Sequence, residues 1–295
     1  MRALFVFTPP ESKRFIAKAV ARLPEVARAR AQAQIAIGHG STNVYVAEEI
    51  FGACAHRDKY LSGLVVNRIL CVTQAEEKPQ MLLWRKGLLT APAATMGETL
   101  KDFGADSVFI KGANAVDPEG NVGVFVANPA GGTIGWSYGI LSARGCHLIV
   151  PVGLEKLVPS VREAARSCGQ EKLYYCQGIR IGMIPVMNAT VVTEIEAFRI
   201  LFDLRAVHVG GGGNMESQGS VVVVAEGDKG ALDRAIALIE SIKGEPPLQP
   251  RKSACTSCVP TVLIQSDEGV KREVKFCMYQ GLTDEELPDF VRSEA

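Results

Sequence analysis

Residues 34–51 read Gln34-Ile35-Ala36-Ile37-Gly38-His39-Gly40-Ser41-Thr42-Asn43-Val44-Tyr45-Val46-Ala47-Glu48-Glu49-Ile50-Phe51. A short apolar run suited to a buried strand passes into two glycines and two hydroxyls, then into a stretch that predicts a helix over 44–51. Strand, glycine loop and helix form the unit from which helix-covered parallel sheets are built. Upstream, Thr8-Pro9-Pro10-Glu11 has the form of a capping box with proline at the first helical position. It predicts a helix towards Leu23, broken at Pro24, and a second piece to about Ala31. Downstream, strands are expected at 64–66, 69–72, 81–84, 107–110, 122–126 and 147–150. Helices are expected at 134–143, at 157–168 with Pro159 in the first turn, and from the capping box at Thr95 to Gly104.

This alternation predicts an α/β domain over 1–176 with a mainly parallel, helix-covered, Rossmann-like sheet. The pattern then changes. A strand at 178–186, a helix at 193–204, strands at 206–209 and 220–225 and a helix at 232–242 give a β-α-β-β-α order. That order suits a smaller ferredoxin-like α+β lobe over 177–245, with the four glycines 210–213 as a flexible hairpin turn. Pro246, Pro247 and Pro250 mark a linker into a tail, 246–295, with a hairpin at 261–265 and 270–278 that turns at Asp267-Glu268-Gly269. The chain contains no internal repeat.

The 295 residues are 47% hydrophobic and 22% charged, the balance of a globular chain with a sizeable core. Thirty-two basic residues offset thirty-two acidic ones, so no long-range field attracts nucleic acid. The longest charge-free stretch, 121–143, is interrupted by Pro129 and several glycines, which argues against a membrane span. The apolar run at 3–7 is too short for a secretory signal, so a cytoplasmic protein with reduced cysteines is expected.

Two glycine loops invite an anion. Gly38, Gly40, Ser41 and Thr42 lie where a strand turns into a helix, and Gly131, Gly132 and Thr133 repeat that arrangement after another strand. Backbone N–H groups at a helix N-terminus favour negative charge, and ligands of open parallel sheets gather at the strands' carboxyl ends. A plain tight turn uses the same residues without a ligand. Between these loops, Lys111-Gly112-Ala113-Asn114 and Asp117-Pro118-Glu119-Gly120 leave a buried strand with an amine, an amide and carboxylates. Lys156 follows a further strand. Asp117 is the candidate base, Lys111 the group to polarise a carbonyl, and His39 a partner in proton transfer. The Asp117 segment also makes a good β-turn with no further role.

In order as well as content, these residues resemble the superfamily of ribose-5-phosphate isomerase, glucosamine-phosphate deaminase, class I coenzyme A transferases and methylthioribose-phosphate isomerases. Gly38-His39-Gly40-Ser41-Thr42 is similar to the isomerase's phosphate loop. Gly112-Ala113-Asn114 with Val116-Asp117-Pro118 is similar to its catalytic loop, and Glu155-Lys156-Leu157-Val158 to the segment whose lysine helps hold the phosphate. The resemblance covers residues 33–160 and implies a phosphosugar-isomerase type of fold. Lys111 and Asn114 stand where the isomerase has paired aspartates, so its proton shuttle is missing as written. Lactate-utilisation proteins share a related fold.

The expectation is a protein that binds a small phosphorylated or otherwise anionic metabolite through Gly38, Gly40, Ser41, Thr42, Asn114, Gly131, Gly132, Thr133 and Lys156. An isomerase-type proton transfer is the leading chemistry. A non-catalytic ligand sensor and an acyl or coenzyme A transferase are the alternatives. No cofactor is assigned, and a homo-oligomer is left open. Cys255-Thr256-Ser257-Cys258 and Cys277 offer three thiols at the spacing of a zinc or iron–sulfur site. No second such pair or nearby histidine supplies a fourth ligand, so no metal is assigned. Cys54, Cys71, Cys146, Cys168 and Cys176 read as buried small residues, and His56, His147 and His208 as structural.

Overall fold

The computed structural model describes residues 1–73, 78–250, 254–256, 258, 261–265, 271–275 and 277–292. At its centre is a mixed six-stranded sheet. Strands β2 (Gln34–Ile37), β7 (Val108–Ile110), β10 (His147–Pro151) and β12 (Thr190–Val192) lie side by side and parallel. On the other side of β2, β5 (Leu82–Arg85) and β6 (Leu88–Thr90) add an antiparallel extension. The parallel expectation therefore holds for four strands of the six. β5 and β6 form a hairpin whose two-residue turn, Lys86-Gly87, takes positive φ at both positions. Ile35 to Ile37 and Val108 to Ile110 are buried without interruption, as strands covered on both faces require.

Helices α1 (Pro9–Ala21) and α2 (Pro24–Gln32) pack on one face of this sheet, α1 against β10 and β12, α2 against β2 and β7. The capping reading at Thr8 is met, since Glu11 accepts the Thr8 backbone N–H at 2.9 Å. Helix α3 (Ser41–Phe51) follows the first glycine loop and packs on α1, and α5 (Gly132–Arg144) follows the second. Two helices differ from expectation. α4 (Met96–Thr99) closes after one turn instead of reaching Gly104. α6 (Val161–Ser167) starts late because Ser160, not Pro159, caps it, its side chain accepting from the Glu163 N–H.

Residues 177–245 do not form the separate ferredoxin-like sheet expected from the sequence. β11 (Gly182–Val186) pairs with β9 (Val122–Val126), which also pairs with β8 (Ala115–Val116), and β12 joins the main sheet. β13 (Arg205–Gly212) and β14 (Ser220–Glu226) pair as expected, but their third strand is β1 (Arg2–Phe7), from the other end of the chain. The physical cause is a period-two pattern in β1: Phe5 and Phe7 point inward while Leu4 and Val6 are exposed. With α7 (Glu194–Phe202), α1 fills the space between the two sheets. There Phe5, Phe7, Phe15 and Phe198 form one aromatic core, with Phe15 and Phe198 4.9 Å apart at their ring centroids. Helix α8 (Lys229–Ser241) packs on α7, and buried Glu11 receives Lys243 Nζ at 2.6 Å and the Gly244 N–H at 2.9 Å just beyond it.

The glycine run is strand, not turn. Gly210, Gly211 and Gly212 pair with Val222, Val221 and Ser220 after a bulge at His208. A Cβ on Gly211 would stand 2.9 Å from the Ser220 carbonyl oxygen, so this close approach requires glycine. A separate hairpin joins β3 (Gly63–Val66) to β4 (Ile69–Val72). In the tail, β15 (Thr261–Gln265) and β16 (Lys271–Lys275) pair antiparallel, while the turn expected at 267–269 lies outside the described residues. Among the described residues no helix is long and apolar enough to cross a membrane.

Candidate functional site

A cavity of about 370 Å³ opens at the carboxyl ends of β2 and β7. Both glycine loops line it: His39, Gly40, Ser41 and Thr42 at the start of α3, and Gly131, Gly132 and Thr133 at the start of α5. Two helix N-termini thus direct partial positive charge at one space. Lys111, Asn114 and Lys156 complete the set named from the sequence, and Lys78 and Ser62 join it. β9 supplies an apolar wall through Val124, Phe125 and Val126. No aspartate or glutamate is among the described residues lining the cavity.

Gly38 lies just behind this lining, in contact with Lys111. A Cβ there would come within 3.0 Å of Lys111 Cδ, so the glycine leaves room for the lysine stem. Asn43, fully buried in the first turn of α3, donates from Nδ2 to the Gly38 carbonyl at 2.7 Å and fixes the loop. Its Oδ1 has no partner among the described residues. Asn114 accepts the Phe125 N–H on Oδ1 at 3.0 Å and so ties the loop after β7 to the apolar wall.

The three lysines are bound to different degrees. Among the described residues, Lys111 Nζ has a single long hydrogen-bond contact, 3.4 Å to the Gly112 carbonyl. Lys78 Nζ donates to Ser62 Oγ at 2.7 Å. Lys156 Nζ donates to the Ala113 carbonyl at 3.1 Å and lies 4.0 Å from Glu155 Oε1. Burial pushes the Lys111 amine down to about 8, and the charges of Lys156 and Lys78 push it the same way. Burial also lowers Lys78. His39 is pushed down to about 4 by burial, against the stabilising Pro79 carbonyl and with help from Lys78 and Lys111. The imidazole is therefore neutral at pH 7. Its Nε2 lies 2.7 Å from the Pro79 oxygen, which can only accept, so the proton is on Nε2 and Nδ1 is left as an acceptor.

Asp117 does not belong to this site. It is buried, and its carboxylate accepts the Asn121 N–H at 2.9 Å, Asn121 Nδ2 at 3.1 Å and the Val161 N–H at 2.9 Å. It closes a turn and holds the start of α6. The residue expected as general base is thus not brought to the cavity: Asp117 is absent from its described lining residues, and both of its oxygens already accept protein N–H groups. Sequence reasoning missed Lys78, which carries no periodic signal. It also missed Asn43, whose part is visible only once Gly38 is in place.

Compared with family models, with curated proteins and with solved structures, the chain matches none.

Proposed function

We propose that the cavity binds a small phosphorylated or otherwise anionic metabolite. The observation that carries this reading is charge balance: three ammonium groups and two helix N-termini meet in one space with no carboxylate among its described lining residues. Burial first, and then the charges of Lys156 and Lys78, lower the Lys111 amine, and a bound anion would offset both effects. Ser41, Thr42 and Thr133 add hydroxyls at the mouths of the two helices.

On this reading the fold is a divergent relative of the phosphosugar isomerases, and the remaining acid–base groups are His39 and Lys111. The ammonium of Lys111 would polarise a carbonyl oxygen, and His39 Nδ1 would accept a proton. The removal of Asp117 from the site favours a second reading, a ligand sensor that keeps the pocket without turnover. A coenzyme A transferase needs a carboxylate nucleophile, and no glutamate is among the described lining residues.

The test is a thermal-shift panel of inorganic phosphate, a pentose phosphate, a coenzyme A ester and a simple carboxylate, each set beside its uncharged analogue. A ligand at a hundred times its Kd adds about 2.7 kcal/mol of stability. Stabilisation by a phosphorylated compound but not by its dephosphorylated form is expected. Equal response to both, or none to any anion, ends the proposal, and product formation from the stabilising ligand separates isomerase from sensor.

A further inference from the structure

The two tryptophans of the chain are placed differently. Trp84 is satisfied within the fold: its indole N–H donates to the Arg30 carbonyl at 2.9 Å, and its ring stacks on Phe51 at 5.2 Å. Trp136 lines the cavity, is 48% exposed, and has no side-chain hydrogen bond or ring contact among the described residues. Phe125, also in the lining, likewise has no ring partner among them. The aromatic rings of the interior, by contrast, pack on one another, as Phe5, Phe7, Phe15 and Phe198 do. Large rings left without partners in a concave site offer a surface to an apolar part of a ligand.

The position of Trp136 in α5 ties this surface to the anion end. It follows Gly132 by four residues and Thr133 by three, so the three share one helix face, and all of them line the cavity. About one turn of helix separates them, and helical side chains lean towards their own N-terminus. An anion at the mouth of α5 therefore has the indole as a neighbour. From β4 and from the segment before β11, Leu70, Val72, Ile179 and Ile181 extend the apolar wall that β9 provides. A bare sugar phosphate is hydroxylated on most of its carbons, and hydroxyls pressed against that wall would lose their water without replacement.

Resting on the reading of this cavity as an anion site, we propose that its ligand is an aromatic phosphate, a phosphate monoester whose ester group is a single flat ring that packs on Trp136 and Phe125. The phosphate takes the helix N-termini and the lysines, and the ring takes the apolar wall. A flat ring offers its face or edge to an indole, which an alkyl group does not. At about 370 Å³ the cavity is near the lower end of the range for small-molecule sites, roughly 300–1,000 Å³, which suits one ring and one phosphate better than a dinucleotide.

The experiment titrates the full chain with methyl phosphate, cyclohexyl phosphate, phenyl phosphate and phenol, following heat and tryptophan emission. Phenyl phosphate should bind about tenfold tighter than methyl phosphate and about threefold tighter than cyclohexyl phosphate, with phenol weakest. Emission should change with phenyl phosphate at the calorimetric Kd. Because Trp136 is half exposed, Trp136→Ala is expected to fold. It should weaken phenyl phosphate about fivefold and methyl phosphate less than about twofold, and Trp136→Phe should recover most of that loss. Methyl phosphate that binds with no gain from the ring ends this proposal and leaves the anion site standing. Binding of neither phosphate, or of phenol as tightly as its phosphate, ends both. Equal affinity for the cyclohexyl and phenyl esters, or equal losses of methyl and phenyl phosphate in Trp136→Ala, also overturns the proposal.

Discussion

Lys111 and Asp117 are six residues apart in one connector, both charged and both withdrawn from bulk solvent, yet they are used in opposite ways. The Asp117 carboxylate meets three donors, and although burial alone would raise it, those donors hold it below the ordinary aspartate value. The Lys111 ammonium has one hydrogen-bond contact among the described residues, at 3.4 Å, and is pushed down by burial and by two neighbouring lysines. A charge whose bonding capacity is taken up by nearby backbone and side-chain N–H groups is a structural part. A charge left short of partners at the edge of a parallel sheet is available to a ligand.

The sharpest way to break this contrast is to exchange the expected effects. Asp117→Ala should cost about 2–4 kcal/mol in urea unfolding, because it strands the Val161 and Asn121 donors. In the protein that stays folded, affinity for the stabilising phosphate ligand should change less than about threefold. Unaltered stability with lost affinity would place Asp117 back in the site. Lys111→Gln should do the reverse: affinity by titration calorimetry falls more than tenfold, or about 1.4 kcal/mol, while unfolding stability is unchanged or slightly higher. A large loss of stability in that variant would make Lys111 the structural partner.

Which of these two residues lines the cavity was not legible in the sequence. Position in a loop after a strand is local and readable, and the residues it singled out, His39, Ser41, Thr42, Gly131, Gly132, Thr133, Lys111, Asn114 and Lys156, all line one cavity. The saturation of Asp117 depends on Val161, forty-four residues away, which no spacing rule reaches. The same limit governs the fold. The period-two signal in β1 is present in five residues, Ala3 to Phe7, but its partner strand begins at Ser220, so the sequence does not say which sheet it completes. The glycines at 210–212 resemble a turn because glycine suits both a turn and a crowded strand. Their pairing with Val222, Val221 and Ser220 distinguishes them, and at Gly211 so does the close Ser220 carbonyl.

An experiment on pH sharpens the contrast without any substitution. In the ligand-free protein Lys111 titrates at about 8, and a bound anion raises it towards the ordinary lysine value. The anion therefore gains its contact fully below pH 8 and loses it progressively above. Between pH 7 and pH 9 the affinity for a phosphate monoester should fall about tenfold, since the ligand's own second ionisation, near pH 6, is complete over that range. In Lys111→Gln the profile should be flat. A profile that rises with pH would contradict the assignment, and His39, pushed down to about 4, cannot produce a break near 8.

The smallest effect is expected where the contrast is least clean, at Lys156. Its ammonium is part-way between the other two cases: it already donates to the Ala113 carbonyl at 3.1 Å, lies 4.0 Å from Glu155 Oε1 and is a quarter exposed. Less of its charge is left over for a ligand, and solvent screens what remains. Lys156→Ala should therefore weaken phosphate-ligand binding only about three- to fivefold, or roughly 0.7–1 kcal/mol. A second consequence runs the other way. Lys156 is one of the cations that lower the Lys111 amine, so its removal should let that amine rise. The alkaline loss of affinity in Lys156→Ala should then set in at higher pH than in the unaltered protein, partly offsetting the missing contact at pH 9. Calorimetric titrations of both proteins at pH 7, 8 and 9 measure the two effects together. A loss above tenfold at pH 7 with no movement of the alkaline break would mean that Lys156 contacts the ligand directly and does not act on it through Lys111.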